Sequence, residues 1–420
     1  MNGWEVLLPE ALAARARETA REVAARLRDP ERLRQAIREA PRQSALPGYA
    51  AWRPFELSRG HPGLAILFAT CAAAFREEDW GVAAQAHLEV VAEAAPRQGI
   101  PPSLFHGLAG RAFARLFISP EIAVDQELLR DADGMADRLA GSANGVAVED
   151  FDVVSGLAGI GAYLLMRADA PSRVLEALVH LARRDGPIPA WQTPPHLLGE
   201  MARETYPEGY LNCGLSHGIP GALALLALAE RQGAGVDGGR EAVERIAVWL
   251  AEQRLEDDWG VTWPAAVPLG RAKPQPTRSA WCYGPPGVAR SLWHAGAALD
   301  DSSYRDLALE AMAAVYRRPV ADRRIDSPTF CHGVAGLLQI TLRFAYDTGL
   351  PLFRKTAAEL ATQLLDAYEP DSLLGYRDVG PGGRCVDCPS LVEGAAGVAL
   401  VLLAASTSRE PAWDRAFLLR

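Results

Sequence analysis

The sequence predicts an all-α fold, an α,α-toroid in which seven buried inner helices are surrounded by seven half-exposed outer helices. Two observations lead to this prediction. A Gly-x-x-Gly motif followed by an apolar run recurs seven times, and segments with apolar residues at helical spacing lie between these runs. The composition allows a large core, because 49% of the 420 residues are hydrophobic and 23% are charged.

The apolar runs predict the inner helices. Each run is apolar on nearly every side, as is expected of a helix that is buried all round. Successive first glycines lie 47, 49, 62, 66, 49 and 61 residues apart, which fits a helical hairpin with a loop of variable length. The first glycines of the seven motifs are Gly60, Gly107, Gly156, Gly218, Gly284, Gly333 and Gly394.

The segments between the runs predict the outer helices. Their apolar residues recur at helical spacing, and charged residues occupy the other face. These segments cover about residues 11–28, 83–95, 126–139, 172–184, 239–255, 302–318 and 352–368. Since each Gly-x-x-Gly turns the chain sharply into an inner helix, all seven motifs are expected around one mouth of the toroid.

Three longer intervals interrupt the helical pattern. Residues 187–214, 256–282 and 369–393 are rich in Pro, Gly and Trp, so they are predicted to form extended loops or short strands near the mouth. We find no sign of a second domain boundary. The chain is therefore predicted to form one domain over residues 1–420.

Charge and hydropathy exclude several classes of partner. The formal net charge is -9 and no dense Lys/Arg cluster occurs, which argues against nucleic acid. The apolar runs are too short to span a bilayer, and the N-terminal segment is a charged amphipathic helix rather than a signal peptide. We expect a cytoplasmic protein, with peripheral attachment to a membrane through a biosynthetic complex as the open alternative.

Two of the six cysteines occupy equivalent positions in consecutive repeats. Cys282 and Cys331 each stand two residues before the first glycine of their motif, and His332 follows Cys331. Because consecutive hairpins are neighbours in a toroid, the two thiols are expected to face each other. Two thiolates and one imidazole match a zinc site with three protein ligands and one open position, which indicates catalysis. The alternative is two core cysteines beside a hydrogen-bonded histidine.

A zinc ion with two thiolate ligands suits thiol chemistry. Soft ligands favour a thiophilic metal, and an incoming substrate thiol can take the open position. The metal lowers the pKa of that thiol, so that a thiolate exists at neutral pH. Addition of the thiol to an electrophile follows more naturally than hydrolysis.

Other polar residues share the predicted mouth. His217 stands directly before Gly218 and can move a proton at neutral pH. Asp152 reaches the same rim and is either a partner of His217 or a helix N-cap. Arg278 is either a donor to an enolate oxygen or part of a structural ion pair. Tyr283 is a further hydrogen-bond donor.

At these residues the sequence resembles the lanthipeptide cyclase (LanC) family, of the stand-alone type. The matching strings are FDVVSGLAG from Phe151, NCGLSHGIPG from Asn212, RSAWCYGPPG from Arg278, CHGVAG from Cys331 and SLVEGAAGVAL from Ser390. The family's usual alanine before the histidine is Ser216 here. The resemblance covers roughly residues 55–403. It implies zinc ligation by Cys282, Cys331 and His332, and active-site roles for Asp152, His217, Arg278 and Tyr283.

The resemblance implies a zinc-dependent cyclase that forms lanthionine and methyllanthionine thioethers. It would add cysteine thiolates of a dehydrated precursor peptide to dehydroalanine or dehydrobutyrine. The family works on a leader-bearing precursor beside a separate dehydratase, and an exporter is a further expected partner. Three alternatives remain open at this stage: an enzyme that adds glutathione to dehydroamino acids, a non-catalytic scaffold with a structural zinc, and a zinc-dependent prenyltransferase.

The remaining candidate sites carry weaker signals. Cys385 and Cys388 form a single CxxC in a Pro/Gly-rich loop, without the second pair that a zinc site needs or the βαβ context of a redox motif. We expect this loop to be reduced and lid-like. His106 holds a mouth position and is expected to form a hydrogen bond with the backbone. His61, Cys71 and Cys213 are expected to be structural.

Overall fold

A computed structural model gives the structure of this chain. It describes residues 4–75, 79–94, 99–121, 123–167, 171–183 and 186–420. These residues fall in two compact units that interleave along the chain. The first unit takes its residues from 1–101, 110–123 and 325–413, and the second from 102–109, 124–324 and 414–420.

The described residues are mostly helical. The α-helices in chain order are α1 (Glu10–Arg28), α2 (Pro30–Gln43), α3 (His61–Ala74), α4 (Trp80–Ala94), α5 (Leu108–Arg115), α6 (Gln126–Gly141), α7 (Val148–Phe151), α8 (Leu157–Leu164), α9 (Ser172–Arg183), α10 (Glu200–Thr205), α11 (Ile219–Arg231), α12 (Gly239–Glu252), α13 (Pro285–Leu299), α14 (Ser302–Arg317), α15 (Val334–Thr348), α16 (Pro351–Asp366) and α17 (Ala395–Ser406). Within the described ranges, no helix combines the length and the apolar character that crossing a membrane requires.

The first unit contains two layers of helices. Helices α3, α15 and α17 form its inner layer, and α17 packs against both α3 and α15. Each inner helix carries an outer one: α4 covers α3, α16 covers α15, and α1 covers α17. Every residue of α17 is buried, whereas α1 buries only one stripe of residues, among them Ala16, Ala20 and Leu27. This difference is what separates an inner from an outer helix.

The second unit repeats this arrangement. Helices α8, α11 and α13 form the inner layer, with α11 packed against both of the others. Helices α9, α12 and α14 cover α8, α11 and α13 in turn. Both units therefore build their cores from inner–outer helix pairs, because each inner helix is apolar all round and must be covered on its outer side.

The inner helices begin where the glycine motifs predict. All seven apolar runs are helical, and the residue that precedes each of α3, α8, α11, α13, α15 and α17 is the first glycine of the motif. Gly284 shows why glycine is needed there. Its φ is +97°, and a Cβ at this position would lie 1.8 Å from the carbonyl oxygen of Arg278.

The outer helices are confirmed with small shifts at their ends. Helix α12 ends at Glu252 rather than at the predicted residue 255, because Leu255 pairs with Thr262 in a strand. Residues 95 and 184, at the predicted ends of two helices, lie outside the described residues. Helices α2, α7 and α10 were not predicted, although Asp29 and Pro30 form a recognisable N-cap and first turn for α2.

Short antiparallel strand pairs occupy the three interrupted intervals. Strand β1 (Tyr210–Asn212) pairs with β4 (Ala266–Pro268), so that Leu211 lies opposite Val267. Strands β2 (Leu255–Asp257) and β3 (Gly260–Thr262) form a hairpin, as do β5 (Asp378–Val379) and β6 (Cys385–Val386). The predicted short strands are thereby confirmed, while the single domain over residues 1–420 stays a prediction.

Candidate functional site

In the second unit, backbone hydrogen bonds join the turns that precede successive inner helices. The amide of Phe105 donates to the carbonyl of Val154 at 3.2 Å, and Val153 donates to Ser216 at 3.1 Å. Ser216 then reaches the carbonyl of Cys282 with its amide at 3.4 Å and with its hydroxyl at 3.3 Å. The residues two places before the first glycines therefore lie side by side, as their repeat positions predict.

The first unit has the same linkage. Cys331 donates its amide hydrogen to the carbonyl of Val392 at 2.9 Å, and Val392 donates to Ser58 at 3.4 Å. One residue further on, the guanidinium of Arg59 lies 2.6 Å from a carboxylate oxygen of Glu393. Within each unit the motif turns thus share one rim. The expectation that Cys282 faces Cys331 involves both units and stays a prediction.

Asp152 and His217 form the central polar pair of the second unit. The Oδ2 atom of Asp152 lies 2.6 Å from Nδ1 of His217. Its Oδ1 atom accepts hydrogen bonds from the backbone amides of Ser155 at 2.6 Å and Gly156 at 2.8 Å, just before α8 begins. Asp152 is completely buried. Asp152 is therefore a hydrogen-bond partner of His217, while its other oxygen binds the turn before α8. It is not the N-cap of that helix, because Gly156 holds this position and has no side-chain cap.

The environment of His217 favours its protonated form. Burial lowers the pKa of His217, but the hydrogen bond to Asp152 and the charge of Asp152 together raise it by more than burial lowers it. The pKa of His217 is therefore above its ordinary value. A carboxylate oxygen only accepts, so Nδ1 of His217 carries the hydrogen of this bond. Nε2 is then the atom that exchanges a proton. The side chain is 39% exposed, which leaves it accessible to a ligand.

Tyr283 lies beside this pair and is held by the preceding turn. Its ring centroid is 6.4 Å from that of His217, and its hydroxyl accepts a hydrogen bond from Nδ2 of Asn212 at 3.4 Å. The Oδ1 atom of Asn212 in turn accepts from the amide of Gly214 at 2.9 Å. A Cβ on Gly214 would lie 2.6 Å from the Tyr283 ring, so glycine is required for this close packing.

Arg278 lies at the start of the same turn with an exposed side chain. Within the described part of the chain, its guanidinium forms no ion pair. The structural ion pair considered as an alternative is therefore not found. The backbone carbonyl of Arg278 packs against Gly284, which ties this residue to the start of α13.

The predicted zinc ligands are divided between the two units. Cys282 belongs to the second unit and is only 6% exposed, whereas Cys331 and His332 belong to the first and are partly exposed. Among the residues that the structure describes, no three or more His, Cys, Asp or Glu side chains form a group that could hold a metal ion. The donor set itself fits zinc, because two thiols and one imidazole can serve as the three protein ligands of a catalytic site whose fourth position is open.

Comparison with known proteins relates these turns to a family. Residues 51–418 match the family described as "Lanthionine synthetase C-like protein". The chain belongs to this family. Since the match spans most of the chain, it confirms the resemblance found in the motif strings and the prediction of a LanC-type cyclase enzyme.

One relative and one solved structure that resemble this chain carry related names. "Nisin biosynthesis protein NisC" of Lactococcus lactis subsp. lactis is 25% identical over 343 residues, which cover 76% of this chain and 81% of that protein. A solved structure of "Nisin cyclase" matches with a TM-score of 0.75 at 23% identity, over 93% of this chain and 96% of that chain. The structural likeness confirms the predicted fold class, the α,α-toroid.

Sequence reasoning missed one buried carboxylate in this LanC-type cyclase. Asp378, in β5, lies with Oδ1 3.8 Å from Nε2 of His332. Its Oδ2 accepts a hydrogen bond from Tyr49 at 2.9 Å. Burial, and then the charges of Asp378 and Glu393, raise the pKa of Tyr49 well above its ordinary value, so its hydroxyl remains a donor. No local pattern in the sequence distinguishes Asp378 from the other acids of the loop.

The minor candidates in this LanC-type cyclase differ in their burial. Cys385 is exposed on β6, whereas Cys388 is buried and its thiol donates to Ser390 at 3.3 Å. Burial raises the pKa of Cys388 to about 11, so this thiol is poorly reactive at neutral pH. Cys71 and Cys213 are both fully buried, in agreement with structural roles. His106 is exposed.

Proposed function

We propose that this chain is a zinc-dependent cyclase that forms lanthionine and methyllanthionine rings. Its substrate is a precursor peptide in which serine and threonine residues have been dehydrated. The thiol of a peptide cysteine adds across the double bond of dehydroalanine or dehydrobutyrine. Sulfur bonds to the β-carbon, the π electrons move onto the amide carbonyl as an enolate, and a proton then bonds to the α-carbon.

The observation that carries this proposal is the Asp152–His217 pair. A histidine whose Nδ1 is held by a buried carboxylate has a defined tautomer and an exchangeable proton on Nε2. The raised pKa of His217 increases the share of its protonated form at a given pH. The protonated ring gives its Nε2 proton to the α-carbon, and the proton released by the next entering thiol restores it, so the addition consumes no net acid or base.

The zinc ligands of the proposal are Cys282, Cys331 and His332. Zinc, when bound, would lower the pKa of the substrate thiol and hold it as a thiolate. Three observations support this ligand set: the repeat-equivalent positions of the two cysteines, the partial exposure of Cys331 and His332, and the family membership. The donor chemistry suits thiol activation better than hydrolysis.

Arg278 and Tyr283 are proposed to stabilise the enolate and to orient the peptide amide from which it forms. The guanidinium of Arg278 is exposed and is not used in an ion pair among the described residues, so it can donate to a developing oxyanion. The hydroxyl of Tyr283 is held by Asn212 close to His217. We propose that Tyr283 orients the peptide amide beside His217, and that Arg278 stabilises the enolate oxygen.

We also propose the partners of this cyclase. The precursor peptide would carry a leader segment, a separate dehydratase would supply the dehydrated residues, and an exporter would take the product. Cyclisation needs the dehydrated peptide first, since an unmodified serine or threonine has no double bond to accept a thiol. This chemical order supports a complex in which dehydration and ring formation follow one another.

The proposal is tested with a dehydrated peptide that contains one cysteine and one dehydroalanine. Ring closure does not change the peptide mass, so unreacted thiol is labelled with N-ethylmaleimide and counted by mass spectrometry. With the wild-type chain, ring closure should consume the peptide thiol, so that no N-ethylmaleimide is added. His217→Asn should lose this activity while it keeps its zinc. His180→Gln, which alters an exposed histidine of α9 in the same unit, is the matched control and should remain active.

The outcomes separate the proposal from the alternatives. If His217→Asn closed rings as fast as wild type, the assigned role of His217 would be wrong. If wild type gave no rings but added glutathione to the peptide, the substrate class would be wrong, since the mass would rise by one glutathione. If wild type did neither and bound zinc, the chain would be a scaffold with a structural metal.

A further inference from the structure

A buried carboxylate with three hydroxyl donors lies in the first unit. The Oδ1 atom of Asp378 accepts hydrogen bonds from Ser327 at 2.7 Å and from Thr329 at 3.2 Å, and Oδ2 accepts from Tyr49 at 2.9 Å. We call these four residues the Asp378 cluster. Ser327 and Thr329 lie in the turn that leads into α15, and Asp378 lies in strand β5. The cluster therefore ties the β5–β6 hairpin to the turn that carries Cys331 and His332.

The position of Asp378 is fixed on both sides. Its strand pairs with β6 in a register that sets Asp378 opposite Val386. The amide of Val379 donates to the hydroxyl of Ser327 at 3.3 Å, so the hairpin cannot slide along the turn without losing bonds. Val386 is itself buried against Ala40 and Ala50. Strand pairing, packing and hydrogen bonds thus fix the backbone that carries the carboxylate of Asp378.

The hydrogen-bond donors of the cluster carry no positive charge to offset that of Asp378. All three donors are neutral hydroxyls, and Asp378 is only 1% exposed. A carboxylate buried this far is normally paired with a cation or lies beside a metal centre. In the part of the chain that is described, His332 is the only basic side chain within ion-pair distance, with Nε2 3.8 Å from Oδ1.

The hydroxyls leave room for one more donor on Oδ1. Ser327 and Thr329 also lie within 2.9 Å of each other, so one of the two hydrogens can be used between them. In that arrangement Oδ1 accepts from only one of the two hydroxyls and keeps its second lone pair for another donor. The atom that faces it is Nε2 of His332, which carries a hydrogen in one of the two neutral tautomers.

We propose that Asp378 is a positioning residue that holds His332 with its Nε2–H toward Oδ1 and leaves Nδ1 as the zinc-binding nitrogen. The inference rests on the proposed function, in which His332 is a zinc ligand. A carboxylate that accepts from the second nitrogen of a ligand histidine fixes the tautomer and ring orientation and makes the imidazole a better donor. Asp378 acts through His332 and touches no substrate in this scheme.

Zinc affinity is the first test. Metal-free wild type, Asp378→Asn and Asp387→Asn are titrated with zinc against a competing chelator. Asp387 is the matched control, because it is a buried aspartate of the same loop that bonds to the amide of Leu374. Asp378→Asn should bind zinc roughly 10–100-fold more weakly, and Asp387→Asn should match wild type. Equal affinity for Asp378→Asn and wild type would overturn the inference.

A measurement on the unmutated protein avoids the question of whether Asp378→Asn folds. Wild type labelled with ¹⁵N-histidine is loaded with ¹¹³Cd in place of zinc, and the nitrogen that couples to cadmium is identified by NMR. Coupling at Nδ1, with a hydrogen on Nε2, is the expected result. Coupling at Nε2 would mean that Asp378 does not hold the ring as proposed.

These experiments also separate this inference from the proposed function. If wild type bound no zinc and no cadmium, the zinc-dependent function itself would be wrong. If wild type bound zinc through Cys282, Cys331 and His332 while Asp378→Asn bound it equally well, only the role of Asp378 would be wrong. The cobalt-substituted protein gives a further readout, since a changed orientation of His332 alters its visible spectrum.

Discussion

The buried carboxylate of Asp152 lies 2.6 Å from Nδ1 of His217, although the two residues are 65 positions apart in the chain. The same carboxylate bonds to the backbone just before α8. The start of one inner helix therefore holds the histidine that starts the next. This arrangement couples the position of His217 to the packing of the inner helices.

Asp152→Asn should damage activity much more than stability. The amide keeps an oxygen that can accept from Ser155 and Gly156, so the cost in unfolding free energy should be limited to the charged hydrogen bond with His217, about 1–3 kcal/mol. The amide nitrogen would face Nδ1 of His217 and favour the wrong tautomer. Ring formation should fall roughly 10²–10⁴-fold. Thermal unfolding and the thiol-labelling assay measure the two effects; a large loss of stability with normal activity would contradict the prediction.

The Asp152–His217 pair should make stability fall at alkaline pH. Because the folded pKa of His217 is raised above the value of the unfolded chain, its contribution is fully present below about pH 6.5. It is lost as the pH rises through the folded pKa. Denaturant unfolding between pH 6 and pH 9 should show this decrease in wild type and a smaller one in His217→Gln. Identical pH profiles for the two proteins would rule out this contribution.

A second histidine pair should make the chain sensitive to acid. Nδ1 of His61 lies 2.7 Å from Nδ1 of His87, between α3 and α4. Burial, and then the nearby His61, lower the pKa of His87 to about 3, and burial also lowers the pKa of His61. The folded state therefore binds fewer protons than the unfolded chain below about pH 6.5. Stability should be full above that pH and fall as the pH drops.

The expected size of this acid effect is roughly 1 kcal/mol between pH 7 and pH 5, after allowance for partial exposure. Denaturant unfolding at the two pH values measures it. His87→Gln removes the group with the larger pKa shift and should reduce the difference. His180→Gln, on the surface of α9, should leave the difference unchanged. An equal acid loss in His87→Gln and wild type would assign the effect to other groups.

Gly214→Ala should destabilise the turn that carries Tyr283. A Cβ there would lie 2.6 Å from the Tyr283 ring and from the carbonyl oxygen of Cys282. Relief of this overlap must move one of the two, at a cost of about 1–3 kcal/mol. Gly81→Ala is the control, because a Cβ at this exposed position in α4 meets nothing within 4 Å. That variant should be neutral or more stable by up to about 1 kcal/mol.

Metal content tests the ligand assignment directly. Purified wild type should carry about one zinc per chain, and Cys282→Ala should lose it. Cys213→Ala is the comparison, since Cys213 is a fully buried cysteine of the same unit outside the proposed ligand set. It should keep its zinc and lose only some stability. Zinc retained in Cys282→Ala would remove this residue from the ligand set.

The helices of this protein were largely predictable from the sequence because their signals are local. A run that is apolar all round defines an inner helix, a one-sided pattern defines an outer helix, and a glycine marks the start of each inner helix. The same alignment brought Asp152 and His217 to one rim. It also paired the positions of Cys282 and Ser216, which the backbone hydrogen bond now joins.

Tertiary structure decided what the alignment could not. A pattern in the chain does not tell whether the carboxylate of Asp152 binds His217, the nearby backbone or both, because all of these partners lie within reach of one side chain. Asp378 comes to His332 only through the pairing of β5 with β6 and its bonds to the preceding turn. The sequence alone thus determined the helices, the family and the candidate residues. The hydrogen-bond partners of buried charges depend on contacts between distant segments, and those exist only in the folded chain.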